Sequence, residues 1–492
     1  MDSPIIKNIF NSIKLNTEDE RAIYLQLSDK ILILIKQGKL TTAQKLPSTR
    51  DVARVLNINR VTVVKAFDEL QMQGWLESFV GRGTFVSSNI PEPEPKKIDI
   101  NANVNTQKVA GFTLNEKQYL SNPYFVPTAE FHLDDGFPDP KFAPLTELYR
   151  AYRNQLTRSG LYQKFGSYSS PDGPGMYREA LSNYLNDTRG LRTTSKNILS
   201  VRGTLMGINL ACTALLNPGD IVVSGIPGWQ RAEHNFLHAK ARHIGISVDE
   251  HGLVVDELKK ICKRTKVRMV YVTPHHHYPT TVSLRIDRRL ELLRLANEYG
   301  FIIFEDDYDF DFHYCHRPLL PLASADENGM VIYCGSFSKS FSPAFRMGYL
   351  AASENVIEHL ANVRVLLDRQ GDHILDNAMS ELLNDGTIQR YLRKTLMVYE
   401  ERRNHFCNLL HSELGNIVNF SIPDGGMTVW TEFDRSIDLE KTAKQAYNKG
   451  LYMSDGKIHH YPTYNKNGIR LGFASSSIEN LTKSVDILKG LL

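Results

Sequence analysis

The chain has 492 residues, 42% of them hydrophobic, too many for one small domain and enough to bury large cores. A formal net charge of +3 exerts no global pull on nucleic acid, so any DNA-facing surface has to be a local feature. Five scattered cysteines (Cys212, Cys262, Cys315, Cys334, Cys407) with no CxxC pair argue against disulfides and structural zinc, and without a run of roughly 18 apolar residues or a secretion pattern in residues 1–11 the expected compartment is the cytoplasm.

Ile23, Leu27, Ile31, Leu34 and Ile35 fall at helical spacing and predict a first helix over residues 23–35, with Gly38 as its stop. Leu46-Pro47-Ser48-Thr49-Arg50 opens a second helix, with Ser48 or Thr49 as N-cap and Val52, Val55 and Leu56 turned inward. Asn57-Ile58-Asn59 makes a tight turn, and a third helix is predicted from Arg60 to Gln73, ended by Gly74. Trp75–Glu77 and Gly83–Ser87 read as short strands around the tip Val80-Gly81-Arg82-Gly83. Three helices and a hairpin wing make a winged helix-turn-helix, assigned to residues 18–90. Its groove side is basic: Lys45, Arg50, Arg54, Arg60 and Lys65 stand against Asp51 alone. The third helix of such a unit enters the major groove, and Asn59, Arg60 and Thr62 open it. Arg60 is the expected base contact, because its fork matches two acceptors on guanine. Arg50, Thr62, Lys65, Arg82 and Thr84 are expected at phosphates or the minor groove.

Ile90-Pro91-Glu92-Pro93-Glu94-Pro95-Lys96-Lys97 alternates proline with charge, which favours an extended spacer. With the polar, Asn-rich stretch after it, this makes a linker over residues 91–128. Residues 129–492 then alternate helical stretches, such as Leu145–Leu156 and Met176–Thr188, with apolar strands at Asp220–Ser224, Val267–Thr273, Phe301–Glu305 and Val331–Cys334. That alternation predicts a large α/β domain around a mostly parallel sheet.

Three groups in this domain match what pyridoxal 5'-phosphate requires: a lysine for a Schiff base, an anion for the ring nitrogen and donors for the phosphate. Asp306 follows the apolar strand Phe301–Phe304 and can keep the pyridine ring protonated, while Tyr308 can reach the cofactor's phenolic oxygen. Lys339 follows the next strand, 33 residues after Asp306, and would form the aldimine from an expected loop. Ser336, Ser338 and Arg346 crowd around it as phosphate ligands.

On these residues the chain resembles the fold-type I aminotransferases. With Leu46–Arg50 and Gly81–Val86 added, it resembles the MocR/GabR subfamily of GntR-type transcriptional regulators. Further landmarks fall in that family's order: Tyr168–Arg178, Val201–Gly207, Asn217–Asp220, Pro227-Gly228-Trp229, Thr273–Thr281 and Arg470–Ala474. The resemblance implies that Gly203 and Thr204 offer donors to the phosphate, that Trp229 stacks on the ring, and that Arg470 grips the carboxylate of an amino-acid effector. It also implies a homodimer on double-stranded DNA. The chain departs from the family at Arg202 and Leu205-Met206, which flank the glycine turn, and at Pro279-Thr280-Thr281, where the family has Pro-Thr-Gly. His275, His276 and His277 are expected to form a pocket wall or packing and not a metal site, since neighbours on one strand face opposite ways.

The expected function is a regulator sensing a small amino compound through Lys339. The alternatives are an active aminotransferase with an appended DNA-binding domain, and a sensor of the cofactor itself controlling vitamin B6 supply.

Overall fold

A computed structural model describes residues 9–16, 19, 21–90, 109–120, 128–157, 167–314, 319–464 and 466–492. Residue 18, Cys315 and most of the expected linker, residues 91–108 and 121–127, lie outside the described residues. The chain forms two compact units, residues 1–115 and 116–492.

In the first unit, α1 (Ile23–Lys36) buries Leu27, Ile31, Leu34 and Ile35, the stripe its spacing predicts. The next helix, α2 (Thr49–Leu56), is capped by Ser48, whose side chain accepts from the Asp51 N–H; it buries Val52 while Val55 and Leu56 are only half-buried. Asn57 ends it with φ at +50°, a left-handed position that asparagine tolerates. Then α3 (Arg60–Met72) turns Val63, Ala66, Phe67 and Leu70 into the same core. Strands β1 (Leu76–Phe79) and β2 (Gly83–Val86) pair antiparallel from Leu76–Val86 to Phe79–Gly83. The first strand begins later than predicted because the Trp75 N–H bonds the Leu70 carbonyl and closes α3.

The second unit begins with β3 (Phe131–Leu133) and then builds an eight-stranded sheet. Its spatial order is β4 (Ile198–Val201), β11 (Gly348–Ala351), β10 (Val331–Ser336), β9 (Ile302–Asp307), β8 (Val267–Val272), β5 (Ile221–Ile226), β6 (Arg242–Asp249) and β7 (Gly252–Leu253). Strands β10, β9, β8, β5 and β6 run parallel, and β11 runs antiparallel to both its neighbours. Alternate side chains enter two separate cores, as strands covered on both faces require: Val222, Tyr271, Phe304 and Ile332 on one side, Val223, Val270, Ile303 and Val331 on the other. Helices α4 (Leu145–Thr157) and α5 (Gly175–Arg189) pack into a third core. There β12 (Val418–Phe420), β13 (Thr428–Phe433) and β15 (Gly468–Gly472) form an antiparallel sheet, and β14 (Leu451–Met453) pairs parallel with β3. The unit's first strand therefore pairs with a C-terminal strand, and both pack into the same core as β15, which matters at the site.

Candidate cofactor site and DNA-reading face

Strand register assembles the candidate cofactor residues. In the β9–β10 pair Asp306 lies opposite Cys334, two residues before Ser336. In the next pairs Ser336 faces Gly348, and Gly348 faces Val201. Ser336, Arg346 and Gly203 thus come off one end of three neighbouring strands, although the sequence separates them by up to 143 residues. The approach is close: a Cβ on Gly348 would stand 2.7 Å from the Gly203 Cα, and one on Gly203 would stand 2.7 Å from an Arg346 guanidinium nitrogen. Gly203, with φ at +77°, caps α6 (Thr204–Leu215), whose first-turn N–H groups form a donor cluster suited to a phosphate. Arg346 is exposed, held at φ +53°, and donates to the Arg202 carbonyl at 3.1 Å. The Ser336 hydroxyl accepts from the Ser338 N–H at 3.0 Å.

Two expectations are corrected in detail. Asp306 lies inside β9, not after it, because the strand continues through Asp307. Lys339 lies in the helical turn α8 (Phe337–Ser340), not in a loop, since Ser336 caps that turn directly at the end of β10.

Strand alternation separates the acidic run. Glu305 accepts the N–H groups of Leu322 and Ala323 on one face, and burial pushes its carboxyl up to about 8. On that same face Asp307 accepts from Tyr333 at 2.7 Å and lies 3.3 Å from His275; burial works against its charge, but His275 and Arg189 outweigh burial and hold the carboxyl low. Asp306 points the other way. Its Oδ2 accepts from Tyr271 at 2.8 Å, while its Oδ1 is fully buried without a partner among the described residues. Burial pushes this carboxyl up to about 7, the Tyr271 hydrogen bond opposing and Asp307 and Asp309 adding. Lys339 is shifted below the ordinary lysine range, chiefly by burial, with Asp135 opposing. Its Nζ donates to the carbonyls of Asp135 and Gly136 and lies 4.5 Å from the centre of the Phe137 ring.

Pyridoxal 5'-phosphate fits this set. A protonated ring nitrogen would satisfy the orphaned Asp306 oxygen, and the cluster of Gly203, Thr204, Ser336, Ser338 and Arg346 is cationic and rich in donors. A lysine that loses its proton readily is the nucleophile a Schiff base needs.

The remaining candidates are less simply placed. Tyr308 donates to the His276 carbonyl at 3.0 Å. Trp229, at the start of α7 (Gln230–His238), lies 6.3 Å from the Tyr278 ring and lines a small cavity with Tyr271, Thr273 and His277. Arg470 is buried on β15, where its Nε meets Asp135 at 2.5 Å, its terminal nitrogen donates to the Pro279 carbonyl at 3.1 Å, and Tyr278 lies beneath it. The three histidines occupy the segment after β8, not a strand, because Pro274 and Pro279 break the ladder on either side. Each ring has its own partner: His275 the Leu319 carbonyl, His276 Asp309 at 2.8 Å, His277 Thr280 at 2.9 Å. Thr281, where the family has glycine, sits at φ +61°, a left-handed position that costs a β-branched residue on the order of 1–3 kcal/mol. Sequence reasoning missed Tyr271 and Asp135. The signals were a phenol within an apolar strand and a paired acid ahead of Gly136.

On the first unit, Arg50, Asn59, Arg60, Lys65 and Arg82 are exposed and Thr62 and Thr84 half-exposed. Asn59 caps α3, its side-chain oxygen accepting from the Val61 N–H at 2.9 Å, and among the described residues Arg60 makes a long 3.4 Å contact with Thr49. Thr84 shares a 2.8 Å hydrogen bond with Ser78 across the wing. Val61, 60% exposed beside Arg60, was not anticipated; an apolar side chain at that point suits a thymine methyl.

Comparison with known proteins agrees with both halves. Residues 139–488 match the aminotransferase class I and II family, and residues 23–86 match the gntR family of bacterial regulatory proteins. An uncharacterized HTH-type transcriptional regulator, YdfD of Bacillus subtilis, is 28% identical over 464 residues, covering 94% of each chain. The probable rhizopine catabolism regulatory protein MocR of Rhizobium meliloti is 24% identical over 475 residues, 96% of this chain and 94% of that one. Among solved structures, a kynurenine aminotransferase of Pyrococcus horikoshii superposes with a TM-score of 0.67 at 26% identity, covering 74% of this chain and 91% of that one. The chain therefore belongs to the aminotransferase class I and II family, whose cofactor is pyridoxal 5'-phosphate, and carries a GntR-type helix-turn-helix ahead of that domain, the arrangement of the MocR/GabR subfamily.

Proposed function

We propose that the chain is a transcriptional regulator in which residues 18–90 read double-stranded DNA, residues 91–128 link, and residues 129–492 sense a small amino compound through pyridoxal phosphate on Lys339. The observation that carries this reading is the buried Asp306 oxygen that has no hydrogen-bond partner among the described residues, on a chain that also carries a readily deprotonated Lys339 and exposes a capped recognition helix. When bound, the cofactor supplies an aldehyde carbon that condenses with amines. Asp306 would hold the ring nitrogen's proton and Tyr308 would serve the phenolic oxygen. Gly203, Thr204, Ser336, Ser338 and Arg346 would take the phosphate, and Trp229 would cover the ring. A ligand amine would compete with Lys339 for that aldehyde carbon, and Lys339, whose Nζ donates to the Asp135 and Gly136 carbonyls, would keep those contacts when free of it. Such binding shifts the DNA-binding equilibrium only by its differential affinity for the two states, typically about 1–3 kcal/mol. The chain works in the cytoplasm as a homodimer, so that two recognition helices meet paired half-sites.

A second reading, transaminase activity, draws on the presence of Lys339, Asp306 and Tyr308 together. One experiment separates the two: an absorbance titration of cofactor-loaded protein against amines and amino acids, with and without a keto acid, and with DNA affinity measured at each ligand concentration. A spectral change that alters DNA affinity and consumes no keto acid is expected. Steady conversion of the keto acid identifies an aminotransferase first, and a DNA response to cofactor loading alone identifies cofactor sensing.

A further inference from the structure

The turn after β3 places an anion on Arg470. Asp134 is buried, and its two oxygens accept from the N–H groups of Gly136 and Phe137, at 2.8 and 2.9 Å, and from the Ser475 hydroxyl at 2.6 Å. Gly136 sits at φ +73°, where a Cβ would stand 2.7 Å from Thr428, so no larger residue fits. The fixed turn presents Asp135 with one oxygen on Arg470 and the other accepting from Tyr278 at 3.1 Å. The Asp135 side chain is 44% exposed and that of Arg470 only 4%, so an anion at the rim reaches inward onto a buried guanidinium.

A buried guanidinium requires a counter-ion, and here the chain supplies its own. A ligand carboxylate bound for Arg470 has to displace an intramolecular one whose effective concentration is at least about millimolar. The wider field points the same way. Among the described residues, the charged groups acting most strongly on Lys339 include the carboxylates Asp135, Asp134 and Asp309 beside the Arg470 guanidinium, a surrounding that favours an arriving ammonium over an arriving carboxylate.

We propose that Asp135 is a specificity-determining residue: by occupying the carboxylate seat on Arg470, it makes the site prefer primary amines lacking an α-carboxylate over the corresponding α-amino acids. This rests on the sensing function proposed above and names its ligand class.

The test uses full-length, cofactor-loaded protein titrated with matched pairs, cadaverine against lysine and tyramine against tyrosine. It is read by the cofactor's absorbance and by the shift in thermal midpoint, with each ratio normalised to free pyridoxal phosphate in solution. Wild-type protein is expected to half-saturate with the amine at a concentration about tenfold or more below that of its amino acid. D135N and D135S are expected to shrink that ratio by about tenfold, mainly by strengthening amino-acid binding. A wild-type preference for the amino acids, or a ratio unchanged in whichever variant retains cofactor, overturns the inference while leaving sensing intact. A spectrum that answers to neither class overturns the sensing function and this inference with it.

Discussion

The DNA-reading face and the cofactor site treat charge in opposite ways. On the first unit Arg50, Arg60, Lys65 and Arg82 are exposed, and the contacts that fix the helix are made by Ser48 and Asn59 through their caps. In the second unit Asp306, Arg470, Arg189 and Asp307 are buried, each bonded to a specific neighbour. Exposed cations are free to meet a phosphate or a base and contribute little to the fold, whereas buried ions are costly to strip of a partner. Function is therefore separable from stability on one unit and entangled with it on the other, and substitutions can test that contrast.

The largest expected effect is at Lys339. In K339A the covalent link to the cofactor should be lost completely, so that borohydride reduction no longer adds cofactor mass to the peptide containing residue 339. A labelled peptide elsewhere would move the link to another lysine. Next comes a second buried ion pair, outside the set of candidate cofactor residues. Arg402 lies 3.0 Å from Asp139, also bonds the Ala474 carbonyl, and is 9% exposed against 6% for its partner. Its removal in R402A leaves a buried carboxylate unpaired and should cost about 3–5 kcal/mol in denaturant unfolding. A loss no larger than a surface ion pair's would break the contrast between the two units.

Asp306 offers a pH test. Its folded pKa, about 7, lies above the ordinary value of 3.8. Below that ordinary value both folded and unfolded chains hold the proton. As pH rises from about 4 to 7 only the unfolded chain releases it, so Asp306 destabilises the cofactor-free protein progressively, by about 4 kcal/mol at most. Glu305 and Asp376 shift in the same direction, so the measurement is the difference between wild type and D306N across that window. Wild type should lose stability relative to D306N as pH rises, and cofactor loading should flatten the difference. A flat difference in the cofactor-free protein would mean that Asp306 already has a counter-charge.

The same contrast explains what was legible beforehand. The winged helix could be read because its determinants lie close together in sequence: a serine cap, an asparagine turn and an apolar stripe. Asp306, Lys339 and Arg346 were readable because consecutive strands of an α/β sheet deliver their ends to one edge, so spacing along the chain survives as proximity. Asp135 and Arg470 were not readable as a pair. They stand 335 residues apart and meet because β3 and β15 pack into one core, which no local pattern announces. Tyr271 sits in an apolar strand and reads as core until its hydroxyl is seen on Asp306. The histidines were expected to alternate faces along one strand, but β8 ends at Val272 and they lie in the segment between Pro274 and Pro279.

The smallest effect returns to the exposed face. Arg60 opens α3, its guanidinium held among the described residues by the long contact to Thr49 alone, so R60A should leave the unfolding midpoint unchanged. Its fork is the group suited to a guanine edge. On DNA selected from a random pool by the wild-type protein, R60A should lose about 1–3 kcal/mol and relax discrimination at one position. The salt dependence decides what Arg60 touches. Loss concentrated at one base with an unchanged salt slope places it on a base, whereas uniform weakening across sequences with a shallower slope places it on phosphate. In the second case discrimination at the start of α3 passes to Val61, whose exposed methyls can meet a thymine. Replacing thymine by uracil in the selected site would then weaken wild type more than V61A.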